Sequence, residues 1–223
     1  MTRPRVLFFD INETLLDLSA LRPGFVEIFG SAEMMGEWFA RLLHASLVSN
    51  HLGNYRPFDL LGVEALLSLA QRRHITLDAK DAVRVVGGMQ ALPPHPEVPE
   101  ALTGLVDAGF RLAALTNNSP EVLAAQLEHA DLTSLFEKLL SVEGVRRFKP
   151  APEVYVYGAT MMEVEVDQAL LIASHDWDVA GARSVGMGGA FLARPAAIWG
   201  LPDDPPEIVA PDLTTLAALL AAD

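Results

Sequence analysis

The sequence contains no cysteine, few basic residues and no long apolar run. The absence of cysteine excludes a disulfide framework, a thiolate nucleophile and a cysteine-ligated metal. The 16 lysine and arginine residues stand against 29 aspartate and glutamate residues, a net charge of −13 that argues against a nucleic-acid partner. No apolar run approaches the length of a membrane span, and Val6–Phe9 is too short for a signal peptide. A cytoplasmic protein with no membrane partner is therefore expected.

A regular alternation of helices and strands runs through the second half of the chain. The pattern predicts helices at Pro99–Ala108, Pro120–Ala130, Pro152–Met162, Asp178–Val185 and Thr214–Ala222. It predicts strands at Arg111–Leu115, Leu139–Val142, Ala169–Ala173 and Gly189–Ala193, with a short edge strand and turn within 208–215. Such alternation is typical of an α/β fold with a Rossmann-like parallel sheet and helices on both faces.

A helical segment follows the first predicted strand. Apolar residues recur at helical spacing in 37–47 and 63–70, and strand signals are few between residues 16 and 90. Pro93-Pro94-His95-Pro96 then predicts a stiff hinge or linker. The expected organisation is a catalytic core of residues 1–15 plus 97–223, with a helical cap of residues 16–96 inserted after the first strand.

Polar residues follow the apolar strands at the points where each strand ends. Because the carboxyl ends of parallel strands meet at one edge of a sheet, these residues are expected to converge on one site. An aspartate at such a strand tip is a candidate nucleophile, although an aspartate there also caps turns. The segments concerned are Asp10–Thr14, Thr116–Pro120, Lys149–Pro150 and Ser174–Asp178.

In this order the segments resemble the four motifs of the haloacid dehalogenase superfamily. Asp10-x-Asn12-x-Thr14, Thr116-Asn117, Lys149-Pro150 and Asp178 with its small-residue helix carry the resemblance, which covers essentially the whole chain. Most members of that superfamily are magnesium-dependent phosphatases. The assignment to a branch therefore requires a separate argument.

Two positions depart from the phosphatase pattern. The general acid two residues after the nucleophile is replaced by Asn12, which cannot donate and recover a proton near neutral pH. The acid that usually completes the magnesium site is replaced by Ser174, which weakens such a site. An alternative for Asn12 is a purely structural hydrogen bond to the loop.

The motifs are most similar to those of the metal-independent L-2-haloacid dehalogenase branch. The resemblance implies that Asp10 displaces a halide from a small 2-haloacid substrate, forming an ester that water hydrolyses, without a metal or other cofactor. It also implies a homodimer. The implied roles are that Lys149 keeps Asp10 ionised, Thr14 and Thr116 orient oxygens, Asn117 donates to halide, Tyr155 positions Lys149, and Asp178 with His175 orients or activates water.

Plainer interpretations remain open for three of these residues. Lys149 has the alternative of a solvated surface lysine, and Tyr155 that of a packing residue on its helix. His175 has the alternative of a helix cap. Trp177 is expected to form a pocket wall or part of the core rather than take part in chemistry.

The halide-binding arginine of that branch has no counterpart at the corresponding position. Counting back from Gly53-x-Tyr55-x-x-Phe58, which resembles a motif of the cap, places Phe39 there. Arg41 follows two residues later, about 200° around a helix, and would point largely the other way. Either the register of this comparison slips or the protein lacks the halide-binding arginine, so Phe39 and Arg41 are both retained as candidate substrate-binding residues.

Three functions therefore remain as hypotheses. The first is a dehalogenase acting on a small (S)-2-haloalkanoate. The second is a magnesium-dependent phosphatase of a small phosphorylated metabolite, on the same scaffold. The third is a catalytically weak binding protein that has kept the fold.

Overall fold

The structure is a computed structural model that describes residues 3–195, 197–203 and 205–222. The ends of the predicted core, residues 1–2 and 223, lie outside the described residues. The strands are β1 (Val6–Phe9), β2 (Arg111–Thr116), β3 (Lys138–Ser141), β4 (Ala169–Ala173), β5 (Gly188–Leu192) and β6 (Ile208–Ala210). The helices are α1 (Arg22–Phe29), α2 (Met34–Leu52), α3 (Phe58–Arg72), α4 (Ala79–Gly87), α5 (Val98–Asp107), α6 (Pro120–His129), α7 (Pro152–Met161), α8 (Asp176–Ser184) and α9 (Leu213–Ala221).

The six strands form one parallel sheet in the order β3-β2-β1-β4-β5-β6. All four residues of β1 and all five of β4 are buried, as expected for parallel strands covered on both faces. The predicted α/β fold with a parallel sheet is confirmed.

Most of the predicted helix and strand boundaries differ from the structure by one or two residues. Strand β3 begins at Lys138 and β5 at Gly188, one residue before the predicted starts. Helix α8 begins at Asp176 rather than Asp178, so Asp178 lies inside its first turn. Both aspartates are favoured there, because the amino end of a helix attracts negative charge.

Helices α1–α4 occupy the segment between β1 and α5 that was predicted to be helical. Helices α2 and α3 extend beyond the predicted 37–47 and 63–70. The buried Trp38 joins them, since its Nε1–H donates to the carbonyl oxygen of Gly62 at 2.8 Å. A Cβ atom at Gly62 would stand 3.2 Å from Val86 Cγ1, which is tighter than most such contacts, so glycine allows α3 to pack closely against α4.

The two connections of this helical segment to the sheet run side by side. Leu16 forms an antiparallel bridge with Pro94, and the Asp17 N–H donates to the carbonyl of Pro93 at 2.8 Å. The N–H of His95 donates to the carbonyl of Leu15 at 2.9 Å. The predicted linker is thus held by backbone hydrogen bonds to the segment that leaves β1 for the helices.

No helix in the described part of the chain is long and apolar enough to cross a membrane.

Candidate active site

Strand β1 delivers Asp10 to the centre of the sheet's carboxyl edge. Its last residue, Phe9, is in register with Ala114 of β2 on one side and Ile172 of β4 on the other. The N–H of Asp10 continues the ladder by donating to the carbonyl of Ile172 at 3.1 Å. Asp10 therefore lies between the loops that follow β2 and β4, where ligands bind in open parallel sheets.

The carboxylate of Asp10 has three side-chain partners. Thr14 Oγ1 donates to Oδ2 at 2.8 Å, His175 Nδ1 contacts Oδ2 at 3.0 Å, and Lys149 Nζ donates to Oδ1 at 3.1 Å. Thr14 Oγ1 also accepts the N–H of Ser174 at 3.0 Å, which directs its own hydrogen towards Asp10. The structure therefore brings together four of the residues that the sequence predicted to be catalytic.

Asp178, the fifth residue predicted to be catalytic, pairs with Lys149, as Asp10 does. The Lys149 side chain is fully buried, and its Nζ donates to Asp178 Oδ2 at 2.7 Å. Tyr155, which is also buried, donates its hydroxyl hydrogen to Asp178 Oδ1 at 2.7 Å. A Cβ atom at Gly181 would overlap this hydroxyl, so the small-residue helix α8 lets Tyr155 reach Asp178. Lys149 is not a surface lysine, and Tyr155 does more than pack.

These contacts shift the pKa values of the two carboxyl groups in opposite directions. Burial alone would raise the pKa of Asp10, but Lys149, His175 and Thr14 together hold that pKa well below its ordinary value. Burial would lower the pKa of Lys149, but the charges of Asp10 and Asp178 raise it. Burial and the neighbouring charge of Asp10 raise the pKa of Asp178. Asp10 is therefore the carboxylate held most firmly in the ionised, nucleophilic form.

The imidazole of His175 bridges two carboxylates and lies against two aromatic rings. Its Nε2 contacts Glu13 Oε2 at 2.9 Å, on the far side of the ring from Asp10. The Trp177 ring stacks on it with centroids 5.0 Å apart, and the Phe39 ring lies 5.8 Å away. Burial would lower the pKa of His175, but the hydrogen bonds and charges of Asp10 and Glu13 raise it to about 10. His175 is therefore an imidazolium at neutral pH.

Asn12 belongs to a buried network of side-chain amides. Its Oδ1 accepts from Gln126 Nε2 at 2.9 Å and from Asn118 Nδ2 at 3.3 Å. Gln126 Nε2 also donates to the carbonyl of Met89 at 2.8 Å. These contacts correspond to the structural alternative for Asn12, although its partners in this network are side chains rather than the loop backbone.

Thr116, the last residue of β2, and Asn117, in the loop that follows, lie at the same edge of the sheet as Asp10. Thr116 Oγ1 accepts the N–H of Asn118 at 3.2 Å and shapes the loop. Asn117 Oδ1 accepts the N–H of Lys149 at 2.9 Å, which fixes the amide orientation. The Nδ2 group of Asn117 has no hydrogen-bond partner among the described residues, so it remains a candidate donor to a ligand.

Arg41 has no hydrogen bond to this cluster among the described residues, and its contact with substrate stays a prediction. Its guanidinium donates to Glu37 Oε1 at 2.7 Å, and Glu37 also accepts from Arg73, the residue after α3, at 2.6 Å. The helical rotation that separates positions 39 and 41 accounts for this placement. Phe39, by contrast, faces His175.

A cleft of about 470 Å³ opens beside the cluster. Glu13, Ser174 and His175 line it, together with the basic residues Arg22, His95 and Arg194. The hydroxyl of Ser174 is buried and has no hydrogen-bond partner among the described residues. The cleft gives small molecules and water a route to the Glu13 side of His175.

Glu13 and Arg194 were not identified from the sequence. Arg194 Nη2 donates to the carbonyl of Thr14 at 2.8 Å, and its Nη1 pairs with Glu97 at 2.6 Å, so it holds the nucleophile loop. Glu13 adopts a left-handed φ of 61° in that loop. No local pattern marks either residue, because the partners lie between 97 and 180 positions away in the sequence.

Comparison with known proteins gives a consistent result. Residues 4–186 match the haloacid dehalogenase-like hydrolase family. (S)-2-haloacid dehalogenase 1 of Pseudomonas sp. (strain CBS-3) is 30% identical over 193 residues, 85% of each chain. Haloacetate dehalogenase H-2 of Moraxella sp. (strain B) is 25% identical over 223 residues, 99% of this chain and 100% of the relative. A crystal structure of an L-2-haloacid dehalogenase superimposes with a TM-score of 0.93 and 26% identity, covering 98% of this chain and 99% of the other.

The raised pKa of His175 predicts a pH-dependent contribution to stability. The pKa is 6.5 ordinarily and about 10 in the folded protein, so this stabilisation is fully present below pH 6.5 and is lost as the pH rises through about 10. We expect the free energy of unfolding to fall more steeply over this range in the wild type than in His175→Gln. Urea denaturation of both proteins at several pH values measures this. Equal slopes would contradict the assignment of a protonated His175.

Proposed function

The chain belongs to the haloacid dehalogenase-like hydrolase family, and we propose that it is a dehalogenase that converts a small (S)-2-haloalkanoate to the 2-hydroxy acid. The observation that carries this proposal is the Asp10 carboxylate, which accepts from Lys149 at 3.1 Å and is held ionised in a buried site. An ionised carboxylate kept from water is a competent nucleophile towards an alkyl halide.

In the first step, an Asp10 oxygen attacks the halogen-bearing carbon from the side opposite the halogen. The new carbon–oxygen bond forms as the carbon–halogen bond breaks, and the halide leaves with the bonding electrons. Chloride and bromide need no proton to depart, so the engagement of Asn12 in a structural network is compatible with this chemistry. Asn117 Nδ2 is the proposed donor to the halide, and the Phe39 ring is a proposed apolar wall.

In the second step, water attacks the carboxyl carbon of the Asp10 ester. Esterification removes the negative charge of Asp10, one of the two carboxylates that hold the proton on His175. The pKa of His175 then falls, and its proton can pass through the cleft to solvent, which accounts for the proton released overall. Neutral His175, oriented by Glu13, accepts a proton from water and returns one to the departing alkoxide. The second proton of the water, left on the Asp10 carboxyl group, then passes to His175 and restores the carboxylate and the imidazolium. Asp178 holds Lys149 rather than acting as the base.

The cation between the two carboxylates of this site is Lys149. Its Nζ lies 3.1 Å from Asp10 and 2.7 Å from Asp178, the two carboxylates that would hold a magnesium ion in the phosphatase alternative. Among the described residues, no group of three or more histidine, aspartate or glutamate side chains is arranged to hold a metal. We therefore propose a reaction that uses the ammonium in place of a metal.

Three further expectations belong to this proposal. Residues 16–96 act as a cap over the core of 1–15 and 97–223, since Phe39 of α2 reaches His175. The protein is a homodimer, for which α2 and α3 offer the exposed apolar residues Leu47, Val48, Leu52 and Leu60. It works in the cytoplasm.

Replacement of the nucleophile tests the proposal. Asp10→Asn keeps the shape of the side chain but removes the ionised oxygen, so halide release from L-2-chloropropionate, bromoacetate and fluoroacetate should fall to background. The assay is run with EDTA, and with a parallel magnesium-dependent phosphate-release screen. Metal-dependent phosphate release without dehalogenation by the wild type would replace this proposal with the phosphatase.

The second step is tested by Glu13→Gln. Glutamine can still bond to His175 but carries no charge, so neutral His175 becomes a weaker base and ester hydrolysis should slow by about 100-fold. We expect a burst of halide, seen by rapid quench, with an ester on Asp10 detected by mass spectrometry. Glu100→Gln, at an exposed glutamate, serves as the control. If Glu13→Gln turns over at the wild-type rate and accumulates no ester, the proposed role of Glu13 in orienting His175 is ruled out.

A further inference from the structure

Phe148, the residue before Lys149, is held by the helical segment rather than by the sheet alone. It is fully buried, and its ring stacks on Tyr55 with centroids 4.8 Å apart and an interplanar angle of 29°. The ring of Phe58, the first residue of α3, lies 5.7 Å away. The side chain that precedes the lysine is therefore seated among aromatic residues of another part of the chain.

The backbone of Phe148 is held by a single side chain from the last turn of α2. Asn50 Nδ2 donates to the carbonyl of Phe148 at 2.7 Å, and Asn50 Oδ1 accepts the N–H of Phe148 at 2.8 Å. Arg147 Nη1 donates to the carbonyl of Asn50 at 2.6 Å, which adds a cation at the carboxyl end of the helix. Both polar backbone groups of Phe148 thus bond to one amide, and the Phe148 carbonyl also accepts the N–H of Ala151 at 2.9 Å.

A second amide holds the next residue. Asn117 Oδ1, at the end of β2, accepts the N–H of Lys149 at 2.9 Å. Two consecutive residues, Phe148 and Lys149, are therefore fixed by amides from two separate elements, α2 and the loop after β2. The position of the Lys149 backbone depends on both.

We propose that Asn50 is a positioning residue for the reaction, which holds the Lys149 ammonium between Asp10 and Asp178 by fixing the backbone of Phe148. This role rests on the proposed function. Asparagine suits the task because one short side chain presents a donor and an acceptor side by side, which aspartate cannot do. Since Nζ lies within 3.1 Å of both carboxylates, a displacement of about 1 Å would weaken both contacts.

The charges that face Asp10 make such a displacement measurable. They are Lys149 from the loop before α7, His175 from the loop before α8, and Asp178 from α8, with Glu13 acting through His175. The Lys149 ammonium lowers the pKa of Asp10. A lysine that is held less well lowers it less, so the acidic limb of the pH–rate profile should move to higher pH.

The test compares Asn50→Asp with His51→Ala, an exposed neighbour on the same helix. Aspartate keeps the size of the side chain and one acceptor but loses the donor to Phe148. We expect a kcat between about 10-fold and 100-fold lower, a smaller change in KM, and an acidic limb at higher pH for Asn50→Asp only. Thermal unfolding verifies that both variants are folded at the assay temperature, as the retained aromatic contacts of Phe148 predict.

Amide hydrogen exchange provides a readout that does not require turnover. The Lys149 amide, which donates to Asn117 and not to Asn50, should exchange faster in Asn50→Asp than in the wild type. The inference about Asn50 alone would be overturned if the wild type is active and Asn50→Asp has the same kcat, pH profile and Lys149 amide exchange as the wild type. A wild type that releases no halide would overturn the proposed function, and with it any role of Asn50 in this reaction.

Discussion

The buried ammonium of Lys149 is the interaction on which the site depends. Asp10 and Asp178 would otherwise be two buried carboxylates facing each other with no cation between them. Removing one partner of a buried ion pair costs about 3–5 kcal/mol, because the remaining charge is left without compensation. With Lys149 in place, Asp10 stays ionised at the tip of β1 while Asp178 and Tyr155 hold the lysine. The same contact thus stabilises the fold and prepares the nucleophile.

The surrounding structure serves to hold that ammonium and to give the nucleophile a second cation. The parallel sheet brings the loops after β1, β2 and β4 to one edge. Helix α2 contacts these loops through Phe39, against His175, and through Asn50, against Phe148. His175 adds a charge that depends on the state of Asp10, since esterification removes one of its two carboxylate partners. In the proposed mechanism, Lys149 stays paired with Asp178, whereas His175 changes from acid to base. This division suits a reaction in which an ester is first formed and then hydrolysed.

The sequence was sufficient to predict the fold class, most of the sheet and the residues that surround Asp10. Those features follow from local patterns, namely apolar strands that end in polar residues and helices that begin at proline. Glu13, Asn50 and Arg194 could not be predicted in this way, because their roles arise from contacts with residues far away in the chain. The placement of Arg41 followed from helical geometry, yet only the structure showed its partner, Glu37. Asn12 was recognised as unsuited to acid catalysis, but its network with Gln126 depends on tertiary packing.

The central claim is that Asp10 itself becomes esterified, and oxygen labelling tests it most directly. A single turnover of L-2-chloropropionate, with enzyme in excess and in water enriched in oxygen-18, distinguishes the two routes to the product. If water attacks the carboxyl carbon of an Asp10 ester, the label enters the Asp10 carboxylate and the hydroxy acid carries unlabelled oxygen at its hydroxyl group. A labelled hydroxyl group with an unlabelled Asp10 would mean that water attacks the substrate directly, and would contradict the account.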